Sequence, residues 1–210
     1  MKIGVIACDV LQRELEKVLD GVPEVTRKIY LEYALHTEPQ RMKETIKEQI
    51  NAMRDEVDVI FLGYGYCKSL QGIENEFDIP IVMARLDDCI SLLLTPEGRA
   101  REIDKEAGTY FLSPGWAELG TEMLIKELHL ERVRRYGKDP LEIAKKLFTN
   151  YKRGLYIDTG IGDNDYFLSR SEQFCRDFNL TLERTAGTSS LLEEMLSECK
   201  RIAAPGCDQK

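Results

Sequence analysis

Apolar runs of strand length alternate along the chain with amphipathic segments of helical length. The runs at residues 2–8 and 57–67 are almost continuously apolar, which is typical of strands buried on both faces of a parallel sheet. Between them, segment 36–56 repeats apolar residues at the spacing of one helix face. The alternation predicts an α/β fold, in which a mostly parallel sheet is flanked by helices in a Rossmann-like arrangement.

Other segments extend the same alternation. Residues 25–35 alternate at first like a half-exposed strand, whereas the apolar run at 79–89 predicts a second central strand. A helix is predicted at about 188–200. Further strands are predicted at 108–118, 154–160 and 180–187, with a short terminal strand at 201–206.

A break at residues 137–140, which read "GKDP", separates two helical segments. After it the alternation of strand and helix begins again. We therefore expect a larger α/β half at 1–136, which carries the candidate chemistry, and a smaller α/β half at 137–210. The pattern leaves open whether the second half completes the first sheet or forms a second lobe.

Composition excludes some classes of function. The 210 residues include 37 acidic and 29 basic side chains, a formal charge of −8, and no basic run long enough to follow a phosphate backbone, so we expect no nucleic-acid partner. No apolar run approaches the roughly 20 residues that span a bilayer, and the first strand begins at Lys2. We expect a cytoplasmic protein without membrane association, whose six cysteines are reduced.

Three cysteines and one histidine follow the ends of predicted parallel strands. Because ligands bind where such strands end, these side chains are expected at one edge of the sheet. Thiolates and imidazole are ligands for zinc, and thiolates also hold iron–sulfur clusters. The ordinary alternative is that small cysteines are buried at strand ends and the histidine is hydrogen-bonded in a loop. The candidate metal ligands are Cys8, His36, Cys67 and Cys89.

Polar and aromatic residues near these strand ends complete the candidate site. Asp88 is the candidate catalytic base or orienting group, whereas Asp87 is interpreted as a helix cap. A helix start after Asp87 should also lower the pKa of the Cys89 thiol. In "GYGYC" (63–67) the glycines permit a tight bend that aims Cys67 inward. The candidate cofactor-binding residues are Tyr64, Arg85 and Trp116.

Five ordered motifs resemble those of the domain of unknown function 1638 family: "GVIACDVLQRELE", "LHTEP", "GYGYC", "ARLDDCISLLL" and "GTYFLSPGW". The segment "KSLQG" after Cys67 departs from the family pattern. Members of this family occur in anaerobic archaea and bacteria, often beside corrinoid-dependent methyltransferase systems. The resemblance therefore implies a role in corrinoid-linked one-carbon metabolism. It carries over to Cys8, His36, Cys67, Arg85, Asp88 and Cys89.

Four functions remain open at this point. The first is a metal-binding protein, with zinc or an iron–sulfur centre, that acts in methyl transfer on a small molecule or a corrinoid protein. The second is a metal-free module that binds a corrinoid or another small ligand. The third is a metal-free thiol enzyme with Cys67 or Cys89 as nucleophile. The fourth is a partner subunit of a methyltransferase, and the sequence leaves open whether the chain forms a homodimer.

Overall fold

The computed structural model describes residues 1–204, and the chain divides into two compact units. Unit 1 comprises Met1–Thr95 together with the chain from Thr188 onward, and unit 2 comprises Pro96–Gly187. The sequence analysis placed the division between residues 136 and 137 instead. A local pattern does not indicate that the last helix returns to the first sheet, which is why the two divisions differ.

Unit 1 is built on a four-stranded sheet in which every pairing is parallel. The spatial order of its strands is β2-β1-β3-β4. The two central strands, β1 and β3, are buried along their whole length, and β2 alternates between half-buried and exposed residues, as predicted. The strands are β1 (Ile3–Cys8), β2 (Val25–Leu31), β3 (Val59–Gly63) and β4 (Ile81–Met83).

The prediction that the fourth strand is central was wrong. β4 has only three residues and forms an edge of the sheet. The last helix packs against β3 and β4, and this contact accounts for the apolar residues of the fourth strand. That helix runs to Ala203, so the predicted strand at 201–206 was wrong for 201–203, and residues 205–206 lie outside the described residues.

The helices of unit 1 cover the sheet with their apolar faces. In α2 the residues Met42, Ile46, Ile50 and Met53 are buried, which confirms the predicted helix face. Pro39 occupies the first helical position, where its missing N–H costs no hydrogen bond. The helices are α1 (Gln12–Val18), α2 (Pro39–Met53), α3 (Ser91–Leu94) and, at the end of the chain, α8 (Ser190–Ala203); short 3₁₀ turns lie at Asp9–Leu11, Tyr33–Thr37 and Ile73–Asn75.

Unit 2 is built on a three-stranded parallel sheet of order β5-β6-β7. Its core is aromatic, with stacked or tilted contacts among Tyr110, Phe148, Phe174 and Phe178. The predicted break near residue 137 is present inside this unit: Gly137 adopts a left-handed conformation (φ 67°) before the next helix. The elements are α4 (Pro96–Lys105), β5 (Thr109–Leu112), α5 (Pro114–Glu127), a 3₁₀ turn (Leu130–Tyr136), α6 (Pro140–Leu147), β6 (Arg153–Asp158), α7 (Asn164–Phe178) and β7 (Thr181–Ala186).

None of the helices in residues 1–204 combines the length and the apolar character that crossing a membrane requires.

Candidate functional site

The carboxyl edge of the unit 1 sheet brings three loops together. β1 ends at Cys8, and the pairing of Ala7 with Gly63 places Cys8 beside the start of the loop after β3. The pairing of Leu62 with Met83 places the loop after β4 next to the same loop. Parallel strands thus deliver residues 8, 64–67 and 84–89 to one edge, as the topological argument requires.

Among the three predicted thiols of this edge, Cys89 interacts with both of the others. Cys89 acts electrostatically on Cys8, and Cys67 acts on Cys89. Cys8 is buried, whereas Cys67 and Cys89 are partly buried. The five cysteines in the described part of the chain are free thiols. Sulfur atoms that are far apart in the sequence therefore share one neighbourhood in the fold.

The ligand assignment itself stays a prediction. Within residues 1–204, no three His, Cys, Asp or Glu side chains are placed so that they could hold a metal ion together as they stand. His36 lies in the 3₁₀ turn that follows β2, and its Nδ1 lies 2.6 Å from the carbonyl oxygen of Tyr33. A carbonyl only accepts, so Nδ1 carries a proton in this contact.

Burial keeps the Cys8 and Cys89 thiols protonated. Burial is the main reason why the pKa of Cys8 lies well above its ordinary value, and repulsion from Cys89 adds to it. Burial likewise raises the pKa of Cys89 to about 11, although a hydrogen bond from the Gly65 N–H opposes the shift. At neutral pH a thiol with such a pKa is ionised in only about one molecule in 10⁴.

The expected lowering of the Cys89 pKa was therefore wrong. α3 begins at Ser91, two residues after Cys89, and has only four residues. A single helical turn has a weak dipole, and burial of the sulfur outweighs it.

The bend in "GYGYC" is produced by a close backbone approach. A Cβ atom on Gly65 would lie 2.7 Å from the Cα atom of Asp88, so only glycine fits between the two loops. The Tyr66 N–H donates to the Leu86 carbonyl at 2.5 Å, which joins the same loops. Gly65 thereby holds the loop after β3 against the loop that carries Cys89.

The two tyrosines of the motif have different surroundings. Tyr64 is 5% exposed, and its hydroxyl has no hydrogen-bond partner within residues 1–204. Burial raises the pKa of Tyr64, and the charges of Cys8, Cys89 and Asp9 raise it further. Tyr64 is thus buried at the sheet edge that carries the thiols, and its part in binding a cofactor stays a prediction.

Tyr66 and Arg85 form a separate polar cluster with Glu74. The Tyr66 hydroxyl donates to Glu74 Oε1 and accepts from the Gly72 N–H, each at 3.2 Å. Arg85 lies over the Tyr66 ring, 5.0 Å from its centroid, and its Nη2 lies 3.1 Å from Glu74 Oε1. These residues line a surface pocket of about 230 Å³ beside β4. Arg85 is thus oriented by Tyr66 and Glu74, and its role in binding a cofactor stays a prediction.

The start of α3 is capped by Asp88 and not, as predicted, by Asp87. Asp88 Oδ1 accepts hydrogen bonds from the Ser91 N–H at 2.9 Å and from the Ser91 hydroxyl at 3.0 Å, whereas Asp87 is exposed. The assignment of the cap to Asp87 was therefore wrong. The Asp88 carboxylate supports the start of α3, and its catalytic role stays a prediction.

Trp116 belongs to unit 2, near the start of α5. It is partly buried and packs against the hydrophobic core of that unit, whose members include Leu112 and Phe167. These contacts explain the side chain as core packing, and its predicted part in a cofactor site gains no support from them.

Two acidic residues near the end of β1 were not predicted from the sequence. Asp9 accepts a weak hydrogen bond from the Cys8 thiol over 3.8 Å. Glu14, in the first turn of α1, is completely buried. Its position is a detectable signal, because Glu14 falls three residues after Leu11 and four after Val10 on the apolar face of this segment.

The comparisons with known proteins add one finding. A family model described as "Protein of unknown function (DUF1638)" matches residues 30–196. The searches of the curated proteins and of the solved structures found no match.

Proposed function

We propose that this chain, which belongs to the DUF1638 family, binds a soft metal centre through Cys8, Cys67 and Cys89. The proposed centre is zinc or an iron–sulfur cluster, and the proposed role is in corrinoid-linked methyl transfer. The observation that supports the binding site is the strand pairing that brings the loops of Cys8, Cys67 and Cys89 to the carboxyl edge of one sheet, where Cys89 acts on Cys8 and Cys67 acts on Cys89.

The donor chemistry fits such a centre. Thiolates are soft ligands that select zinc and iron–sulfur clusters over harder ions. Backbone N–H groups of Val10 and Gly65 form hydrogen bonds to the sulfur atoms of Cys8 and Cys89, an arrangement that stabilises thiolates. The three side chains must draw closer to act as ligands together, and His36 remains the proposed fourth ligand.

The proposed chemistry follows from the resemblance and from the ligand set. If a substrate thiol takes the fourth position in place of His36, a zinc ion held by the three thiolates would keep that thiol ionised, so that it accepts a methyl group. The chain itself would bind the substrate and exclude water at a buried edge. Asp88 is the proposed base or orienting group, and the proposed partner is a small molecule or a corrinoid protein.

Metal analysis tests this proposal directly. We expect protein purified without oxygen to contain about one zinc or an iron centre per chain, and Cys67→Ser to lose most of it. Cys199→Ala is a matched control, because this buried thiol lies on α8 of the same unit. A visible spectrum would identify an iron–sulfur or corrinoid chromophore. Metal-free wild type would reject the proposal, and equal metal in wild type and Cys67→Ser would reject the role of Cys67.

A metal-free thiol enzyme is the main competitor. The raised pKa of Cys89 leaves little thiolate at neutral pH, which weighs against this thiol as an unaided nucleophile. Iodoacetamide distinguishes the two functions. Fast alkylation of Cys89 in metal-free protein at pH 7 would favour the enzyme, and slow alkylation would favour the metal site.

A further inference from the structure

Within residues 1–204 the chain passes twice between the two units, and the first crossing contains a strained residue. Unit 1 ends at Thr95 and unit 2 begins at Pro96. Thr95 has φ 61° and ψ 160°, a combination that is almost confined to glycine and is unfavourable for a β-branched side chain. The following proline explains the extended ψ of Thr95, but it does not require a positive φ. The positive φ therefore needs another explanation.

Pro96 concentrates the freedom of this crossing in Thr95. The proline ring fixes its own φ at about −65°, and α4 begins at Pro96, so the residues that follow have helical dihedral angles. On the other side, α3 ends at Leu94, and all four of its residues are buried in unit 1. A change of direction between α3 and α4 is then taken up by the φ and ψ angles of Thr95.

The second crossing is equally short. The Gly187 N–H donates to the carbonyl of Asp158 at 2.7 Å, and a Cβ atom on Gly187 would overlap a side chain of β6, 2.7 Å away. Gly187 is thus held against unit 2. The next residue, Thr188, donates its N–H to the carbonyl of Leu93 at 2.8 Å, which holds it against α3 of unit 1. The chain therefore changes from one unit to the other within a single peptide bond.

We infer that Thr95 is a hinge residue, and that unit 2 rotates as a body relative to unit 1 about Thr95 and the Gly187–Thr188 peptide. Hinges consist of a few residues at the ends of elements that absorb changes in φ and ψ. Backbone strain persists only where the structure on both sides imposes it, and α3 and α4 belong to different units. The hinge needs no metal centre, so it stands apart from the proposed function.

Unfolding measures the strain at Thr95. Glycine tolerates the observed φ, whereas alanine keeps the Cβ atom and loses only the rest of the side chain. We expect the equilibrium constant of unfolding to be about fivefold smaller in Thr95→Gly than in Thr95→Ala, measured by circular dichroism in urea. A constant in Thr95→Gly that equals or exceeds that of Thr95→Ala would overturn the inference, because Thr95 would then carry no strain.

Spin labels on exposed residues measure the rotation itself. Nitroxides attached through an unnatural ketone amino acid at Glu48 of α2 and Glu172 of α7 report the distance between the units and leave the native cysteines intact. A pair at Glu48 and Glu194, both in unit 1, gives the width of the distribution for one rigid body. In wild type we expect the distribution between the units to be about twofold broader than this control. Equal widths would overturn the inference.

Thr95→Gly identifies the hinge residue in the same experiment. Glycine allows both signs of φ, so the distribution between the units should broaden by a further factor of about 1.5 while the pair within unit 1 stays unchanged. Asn179→Gly is the matched control, because Asn179 also has a positive φ (55°) but lies at the end of α7, inside unit 2. It should keep the wild-type distribution. A wild-type distribution in Thr95→Gly would overturn the assignment of the hinge, and so would broadening within unit 1.

Discussion

The two parallel sheets of this protein differ in how many hydrogen-bond partners the polar side chains at their carboxyl edges have. At the carboxyl edge of unit 2, Asp158 forms an ion pair with Arg184 and accepts a hydrogen bond from the Gly160 N–H. At the carboxyl edge of unit 1, the buried Tyr64 hydroxyl has no partner in the described chain, and Cys8 and Cys89 raise its pKa. The polar groups of the first edge thus pair with one another, whereas the second edge has a buried hydroxyl that forms no hydrogen bond with the described residues.

This difference separates structural polar groups from groups that are available to a ligand. A buried polar side chain with several partners stabilises the fold only while the set is complete. A buried polar side chain without a partner lowers stability and needs another explanation. Unit 2 provides the first case and unit 1 the second. Removing a paired polar group in unit 2 should therefore lower the free energy of unfolding, whereas removing the unpaired hydroxyl in unit 1 should not.

The largest effect is expected at Arg153, which is buried at the start of β6. Its guanidinium donates hydrogen bonds to the side-chain carboxylate and to the backbone carbonyl of Glu102. It also donates to Thr109 and to Glu183. Arg153→Ala would leave Glu102 buried beside only Lys105, at a cost of about 3–5 kcal/mol in the free energy of unfolding. Urea unfolding followed by the fluorescence of Trp116, the single tryptophan, measures this in unit 2.

Lys105→Ala is the control for Arg153. Lys105 pairs with the same carboxylate but is 63% exposed, so its loss should cost less than about 1 kcal/mol. A similar cost for both substitutions would mean that Arg153 is not the structural cation of unit 2.

The next effect concerns the loop that positions the thiols. In Gly65→Ala the new methyl group would overlap the Asp88 backbone, which should cost about 1–3 kcal/mol and separate the two loops. Urea unfolding followed by circular dichroism measures the cost, and alkylation of Cys89 reports the separation. Gly21→Ala is a control with left-handed φ and no nearby atoms, so it should cost about 1 kcal/mol and leave alkylation unchanged. Unchanged alkylation in Gly65→Ala would contradict the role of this glycine.

Local patterns predicted the elements whose burial depends on near neighbours in the sequence. The strands β1 and β3, the buried face of α2 and the edge that gathers Cys8, Cys67 and Cys89 all follow from apolar period and from the rule for parallel strands. These features needed no knowledge of distant contacts.

The remaining features depend on distant contacts and could not be predicted from the sequence. β4 was misplaced because α8, about 100 residues later, covers it. The pKa of Cys89 depends on how completely its sulfur is desolvated, which no motif states. The motif "GYGYC" also does not say which tyrosine is buried, because burial depends on contacts outside the motif.

Alkaline pH should produce a moderate effect in unit 1. The pKa of Cys89 is raised in the folded state, so its stabilising contribution is complete below the ordinary thiol pKa of 9 and is lost as pH rises toward 11. We expect a loss of about 1 kcal/mol for this thiol between pH 8 and pH 10. Circular dichroism of urea unfolding at both values measures it, and Cys89→Ala should show a smaller loss than wild type. An equal loss in the variant would contradict the assignment.

The smallest effect is expected at Asp158, and it has the opposite dependence on pH. Arg184 lowers the pKa of Asp158, so the stabilisation is present at neutral pH and is lost as pH falls below about 4. Because Arg184 is half exposed, Arg184→Gln should lower the free energy of unfolding only slightly at pH 7. Acid unfolding followed by Trp116 fluorescence should move to higher pH in this variant. Arg176→Gln, which breaks an exposed pair with Glu172 in the same unit, should leave the acid transition in place. Equal transitions in both variants would show that the edge of unit 2 is not closed by this ion pair.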